Sequence, residues 1–430
     1  MSAFTQLLRS NRNYRSAWTG QIVSEIGDHF NNIAVMSLAM EHVNPGIVVT
    51  GVFLARAVPM LAAGPIAGVL LDRLDRKRVM IASDLTRAVL AFGFILCIRH
   101  QSLLLLYALS AGLMFASPFF TSGRSSILPS ITTPEELHVA NTMTQTTSWA
   151  SLTLGAFLGA AGAHYGYRIA FAFNALSFIV SALCISALRR PGGFRAAGIA
   201  KKAAQTGFVQ YRNGLRYMRA TPLLFGLAMV NVGWASGGGA AQILFSLFGE
   251  KVFRAGPLGI GVIWGFAGVG LLIGGSVGYW LGKRLDFVQY KRTIAVVYVI
   301  HGGAYILFSL MPTIALACVF IALSRAGVAV SSVLNFSQLL RHVEDRFRGR
   351  VFATLESLTW STMMISMMAT GIATTVFTPR QIGVCAGAVS TMTAVYWTWA
   401  NWTHRLPEPA RQIVSPAEEE EIHAEPPLAS

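Results

Sequence analysis

The stretch Gly68-Val69-Leu70-Leu71-Asp72-Arg73-Leu74-Asp75-Arg76-Lys77-Arg78 is a charged break between two long apolar runs, residues 46–71 and 78–98. A membrane-crossing helix needs about 20 mostly apolar residues, and each run supplies them. A short loop carrying Arg73, Arg76, Lys77 and Arg78 belongs on the cytoplasmic side, where Lys and Arg are retained. Gly68 leaves room for close helix approach. Asp72 stands where the first run meets water, and a carboxylate there can bind the positive N-terminus of a helix.

The same pattern extends in both directions. Apolar runs at 16–40, 46–71, 78–98, 102–123, 141–165, 168–188, 222–248, 259–282, 293–311, 313–339, 351–377 and 381–402 predict twelve spans. Composition agrees. The chain of 430 residues is 53% hydrophobic and 12% charged, with 41 glycines. A soluble domain carries about 25% charged residues. The formal charge of +15 does not indicate a nucleic-acid partner, because the basic residues sit in short clusters between apolar runs rather than on one soluble face.

Those clusters test the span count. With the N-terminus in the cytoplasm, 26 of the 34 Lys and Arg residues fall inside, Arg124 among them. Arg99, Arg168, Lys251, Arg254 and Arg380 fall outside, and Arg56, Arg87 and Arg325 lie within spans. A missed or invented span would scramble this alternation, so both termini are expected in the cytoplasm. The longest connector, basic and containing Pro191-Gly192-Gly193, follows the sixth span. It divides the chain into a six-helix half at 1–190, a connector at 191–221 and a second six-helix half at 222–406. The tail at 407–430 carries Glu418 to Glu421 and several prolines, and reads as a disordered, solvated acidic segment. No cleavable signal peptide is evident, and Cys97, Cys184, Cys318 and Cys385 have neither disulfide nor metal spacing. No metal or cofactor is expected.

The loop at 68–78 resembles the G-x-x-x-D-R-x-x-R-R/K motif of the major facilitator superfamily. Residues 64–78, Ser83-Asp84-Leu85-Thr86-Arg87, Leu128-Pro129, Glu136-Leu137 with Ala140-Asn141, and Phe347 to Val351 are similar to the branch of macrolide-efflux and siderophore-export proteins. The resemblance covers nearly the whole chain up to Pro407. It implies an all-α integral membrane protein of two pseudo-symmetric six-helix halves, with a gating role for Gly68, Asp72, Arg73, Arg76 and Lys77. In the family this aspartate latches the halves together near the eleventh span, which begins here near Arg350-Val351. The second half echoes the loop only weakly, as Gly278 to Asp286, with the acid displaced. Gly155, Gly159 and Gly162 partly match the antiporter glycine motif, without its usual proline.

Ionisable groups inside a membrane are costly unless paired or hydrated, so each is a functional candidate. Gln21, Glu25, Asp28 and Asn32 recur at helical spacing on one face of the first span. Such a polar stripe must face water or other polar groups. Depth along the helices places Arg56 opposite Asp28, either as a permanent structural pair or as part of a proton-coupling site. Glu25, a turn away, is then the easier acid to protonate. Asp84 and Arg87 are spaced to pair at i and i+3. Arg325 is expected either to attract an anionic substrate group or to be satisfied by Glu356. In the seventh span Asn231 and Trp234 are candidates for ligand contact or for packing, and Gly237-Gly238-Gly239 for a gate-like bend.

These readings converge on a secondary transporter that exports amphipathic small molecules by alternating access, with protons as a candidate coupling ion. The expected setting is a bacterial cytoplasmic membrane, with lipids around a monomer. A lipid or lysophospholipid flippase on the same fold is the nearest rival, and a transport-inactive sensor or scaffold is another. An enzyme is not expected: His29, His164 and His301 are isolated, and no nucleophile–base pair is apparent.

Overall fold

The computed structural model describes residues 3–162, 166–189, 193–194, 207–343 and 345–408. Every regular element among them is helical: α1 (Ala3–Ser10), α2 (Arg12–Met40), α3 (Pro45–Arg73), α4 (Arg76–His100), α5 (Leu103–Ile131), α6 (Pro134–Gly162), α7 (Tyr167–Ser186), α8 (Gly207–Ala220), α9 (Pro222–Leu247), α10 (Gly256–Gly282), α11 (Phe287–Leu310), α12 (Ile314–His342), α13 (Asp345–Ala373) and α14 (Pro379–Trp402). A π-turn, Phe248–Val252, follows α9. A helix satisfies its backbone polar groups internally, which lipid requires. Helix starts follow local chemistry. Asp75 caps α4, Asp286 and Thr378 build capping boxes with Gln289 and Gln381, and Pro45, Pro222 and Pro379 pre-set the first turns of α3, α9 and α14.

Among the described residues, eight helices are long and apolar enough to cross a membrane: α3, α4, α5, α7, α9 with its π-turn, α10, α11 and α12. The chain is thus a multi-pass, all-α membrane protein. The other long helices carry more polar or charged residues. In α2 these include Gln21, Glu25, Asp28, Asn31 and Asn32.

Helix α2 packs on α6 and α7, α3 on α5, and α4 on α5 and α7. Helix α9 packs on α13 and α14, α10 on α12, and α11 on α12 and α14. Contact between these two sets runs chiefly through α6 with α10 and α3 with α13. Small residues set the closest approaches. A Cβ at Gly270 or Gly274 of α10 would collide with the backbone of Ala322 or Ala326 in α12. Helices α3 and α13 meet where Gly46 faces Thr374 and Thr50 faces Gly371. At the opposite end of α3, only the stripe Ala63, Ala67 and Leu71 is buried.

Several expectations change. The expected close approach at Gly68 is absent, since a Cβ there would meet nothing within 4 Å. Helix α5 runs eight residues past the expected end, so Arg124 belongs to a helix and not to a loop. The Gly237–Gly239 run does not break α9. Gly237 packs on Ala386 and Ser390 of α14, and Gly239 on Met363 and Ser366 of α13. Of the connector at 191–221, residues 207–220 form α8, while 191–192 and 195–206 lie outside the described residues, as do His164 and the tail from 409 onward.

Candidate functional site

A cavity of ≈ 500 Å³ lies between the two sets of helices. One wall, from α2 to α5, carries Glu25, Asp28, Asn32, Arg56, Arg87 and Arg124, with His29, Phe53, Met60 and Phe120 among them. The facing wall carries Gln242 of α9, Trp264 of α10, and Trp360 and Met367 of α13. All the charge is on one side, and the other side is aromatic and apolar but for one amide.

The charged wall is built from three arrangements. In the first, Arg124 Nη1 lies 3.2 Å from Glu25 Oε1. The same oxygen accepts hydrogen bonds from Gln21 Nε2 at 2.9 Å and Ser148 Oγ at 3.1 Å, so α2, α5 and α6 meet there. In the second, Arg87 is ion-paired to Asp84 and lies 3.9 Å from Asp28 Oδ2. Its guanidinium is held between the rings of Phe120 and Phe178, at 4.6 and 4.3 Å from their centroids. Cation–π contacts of this kind strengthen when desolvated. Asp84 is fully buried behind Arg87, whereas the Asp28 side chain is 28% exposed and faces the cavity. In the third, Arg56 Nη1 donates to the amide oxygen of Asn32, and Arg56 Nε is buried without a partner.

This differs from the expected pairing. Asp28 pairs with Arg87 and not with Arg56, because α4 presents Arg87 to the same stretch of α2. Glu25 is not left without a cation, since Arg124 serves it. The two carboxylates therefore have one arginine each at hand, and Arg56 has a neutral partner.

Other candidates lie elsewhere. Arg325 is 8% exposed and does not line the cavity; its guanidinium sits 5.0 Å from the centroid of Phe245. Glu356 is exposed, and among the described residues no ion pair joins it to Arg325. Neither Asn231 nor Trp234 lines the cavity. Asn231 Nδ2 donates to Leu227 O within α9, and Trp234 packs between two apolar clusters.

The 68–78 loop is a fastening point on its own set of helices. Asp75 accepts from Arg78 N at 3.0 Å and from Phe194 N at 3.1 Å. Arg76 Nη1 donates to Ser126 O of α5 at 2.8 Å. Lys77 Nζ donates to Ser186 O and Leu188 O, where a cation complements the C-terminus of α7. Asp72 and Arg73 are exposed, and among the described residues no hydrogen bond ties Asp72 to α13.

Sequence reasoning missed Arg124, Trp264, Trp360 and Met367. The signal for Arg124 was present: the apolar run resumes at Ile127-Leu128, so the span does not end at Gly123. The others are ordinary apolar helix residues, and only the packing of α10 and α13 turns them toward the cavity.

The family model of the Major Facilitator Superfamily matches residues 17–355. The chain is 23% identical to a putative bacilysin exporter, BacE, of Bacillus subtilis over 340 residues, 79% of this chain and 83% of that one. It is also 23% identical to macrolide efflux protein A of Streptococcus pyogenes over 383 residues, 86% of this chain and 90% of that one. The fold is similar to an inward-facing, unoccupied bacterial homologue of the human lysosomal transporter Spinster (TM-score 0.68, 15% identity, 93% of this chain and 100% of that one). It is likewise similar to the nucleoside transporter NupG (TM-score 0.68, 10% identity, 90% and 98%). A multi-pass helical fold around a central cavity, with this kinship, makes the protein a membrane-embedded secondary transporter of small molecules that works by alternating access. The chain belongs to the major facilitator superfamily.

Proposed function

We propose that this transporter exports amphipathic small molecules from the cytoplasm in exchange for protons. The observation that carries the reading is the division of the cavity into a charged wall (Glu25, Asp28, Arg56, Arg87, Arg124) and an aromatic, apolar wall (Trp264, Trp360, Met367). A molecule with one polar and one apolar face fits both walls at once. Relatives named as a bacilysin exporter and a macrolide efflux protein support the outward direction.

In this reading α2–α7 and α9–α14 are two six-helix halves, residues 1–190 and 222–406, joined by the basic connector. The packing supports it by repeating. Helix α3 lies on α5 as α10 lies on α12, α4 on α7 as α11 on α14, and α2 on α6 as α9 on α13. The loops repeat too: Arg73-Leu74-Asp75 caps α4 through Asp75, and Arg284-Leu285-Asp286 caps α11 through Asp286. Aligned on these caps, Asp286 corresponds to Asp75, and Lys283 stands at the position of Asp72.

With the basic loops and both termini in the cytoplasm of a bacterial inner membrane, the contacts Gly46–Thr374 and Thr50–Gly371 close the outer end. The cavity then opens to the cytoplasm, and Asp72 is free to latch onto α13 when the halves rock the other way. Protonation of Asp28 or Glu25 would remove the attraction to Arg87 or Arg124 and let α2 shift against α4 and α5. The cavity lies within one chain surrounded by lipid, which suits a working monomer.

Inverted vesicles test this directly, using fluorescent amphiphiles of either charge as cargo. An acidic interior is expected to drive accumulation, and Glu25→Gln or Asp28→Asn to uncouple it. Uptake that ignores the pH gradient and survives both substitutions would sink proton exchange. No uptake of any cargo would sink export of amphiphiles.

A further inference from the structure

The three arginines of the cavity wall are unequally contacted by carboxylates. Arg124 has Glu25, and Arg87 has both Asp84 and Asp28. Arg56 donates to the amide oxygen of Asn32; Asp28 attracts it at longer range, but among the described residues no carboxylate lies within ion-pair distance of it. Its Nε is buried and unpartnered, while the residue as a whole is half-buried on the cavity. A guanidinium offers five N–H donors in a fixed planar fork. One is spent on Asn32, which also fixes the side chain from α2.

A buried guanidinium N–H without an acceptor is costly, and a ligand that supplies the acceptor recovers that cost. The bidentate fit of guanidinium to carboxylate makes that the matched ligand group. A phosphate monoester would bring a second negative charge close to Glu25 and Asp28, which repel it. Across the cavity, the indole N–H of Trp264 is buried without a partner, beside Trp360 and Met367. The polar groups of that wall, the Trp264 indole N–H and the Gln242 amide among them, stand in an otherwise apolar surface.

We infer that Arg56, held by Asn32, is the substrate-recognising cation of the cavity, and that the preferred substrates are amphipathic carboxylates whose apolar body lies on Trp264 and Trp360. The inference rests on the cavity being the transport site and adds the chemical class of its substrate. It also assigns Arg56 a role distinct from Arg87 and Arg124, whose guanidinium groups already contact carboxylates.

The test uses the purified full chain and two probes, the carboxylate N-dodecanoylglycine and its uncharged methyl ester. Binding is followed through quenching of intrinsic tryptophan fluorescence, with Trp360→Phe identifying the part of the signal that comes from the cavity. The carboxylate is expected to bind roughly tenfold or more tightly than the ester, the scale of a charge-assisted contact. Arg56→Gln should erase that preference while leaving ester binding in place, and Arg56→Lys should keep part of it. Equal binding of the two probes to the native protein overturns the inference and leaves the amphipathic cavity standing. A preference that persists in Arg56→Gln overturns it as well. Failure of both probes to bind, or quenching that Trp360→Phe does not alter, overturns the inference together with the reading of the cavity as the site.

Discussion

Arg124 of α5 holds Glu25 of α2 at 3.2 Å, with both side chains partly open to the cavity at 16% and 21% exposure. Gln21 and Ser148 bind the same carboxylate oxygen, so the pair sits in a small network and not in isolation. Removing one member strands the other charge, which costs more than removing both. Glu25→Gln and Arg124→Gln are each expected to lower the thermal midpoint of the detergent-solubilised protein. The double variant should lose less than the sum, with a coupling of about 1–3 kcal/mol, below the fully buried case because the cavity admits water. Strict additivity would show that the pair contributes nothing to holding α2 on α5.

That pair also shows what a single sequence can and cannot carry. The Gln21, Glu25, Asp28, Asn32 stripe is written in residue spacing, and the structure places Glu25, Asp28 and Asn32 on the cavity and Gln21 beside it, bonded to Glu25. Spacing along one helix is a local property. Which cation meets which acid depends on the rotation and register of neighbouring helices, set by packing such as Gly155 and Gly159 of α6 against α2. Depth along α3 put Arg56 level with Asp28, but depth says nothing of azimuth, and α4 turns Arg87 to the same acid. The expected Arg325–Glu356 contact depends on the same packing, and among the described residues no ion pair joins the two. The break at 68–78 was legible as a helix boundary. Its role in tying α4, α5 and α7 was not, since Arg76 and Lys77 reach carbonyls distant in sequence.

Arg87 is the most enclosed cation of the site, 3% exposed and stacked on Phe120 and Phe178. Arg87→Leu leaves Asp84 as a fully buried carboxylate with no counter-charge, a loss of about 3–5 kcal/mol by comparison with broken buried pairs. Adding Asp84→Leu removes the stranded charge. The double variant is expected to express and melt closer to the native protein than Arg87→Leu does. If the double variant is the worse of the two, Asp84 is held by something other than Arg87.

Asp75 lies outside the membrane, at the start of α4. Burial pushes its carboxyl up, but the backbone N–H groups of Phe194, Arg78 and Lys77 and the charge of Arg78 outweigh this, and it is held below the usual carboxylate range. A lowered value means that the cap stabilises the fold fully above the ordinary carboxylate range, near pH 4, and loses that contribution as pH falls through the lowered value. Asp75→Ala should cost about 0.5–2 kcal/mol at neutral pH, the range for a lost cap. It should also flatten the acid limb of the stability curve, measured as Tm against pH from 7 down to about 3. An acid limb unchanged in Asp75→Ala would assign the acid sensitivity to other groups.

The contact between Thr50 of α3 and Gly371 of α13 offers a way to hold the transporter in this state. A Cβ built at Gly371 lies 2.9 Å from the Cβ of Thr50. A disulfide sets its two Cβ atoms about 3.8 Å apart, so the helices need yield by only about an ångström. Thr50→Cys with Gly371→Cys, made alongside Cys385→Ser because Cys385 is exposed, should therefore cross-link under mild oxidation. In the proposed cycle this end must open for release, so cross-linked protein should keep binding ligand from the side of the basic loops while transport falls to background. A thiol reductant should restore transport. Full transport by protein that is shown to be cross-linked would mean that α3 and α13 need not part at this end, and that the path out runs elsewhere.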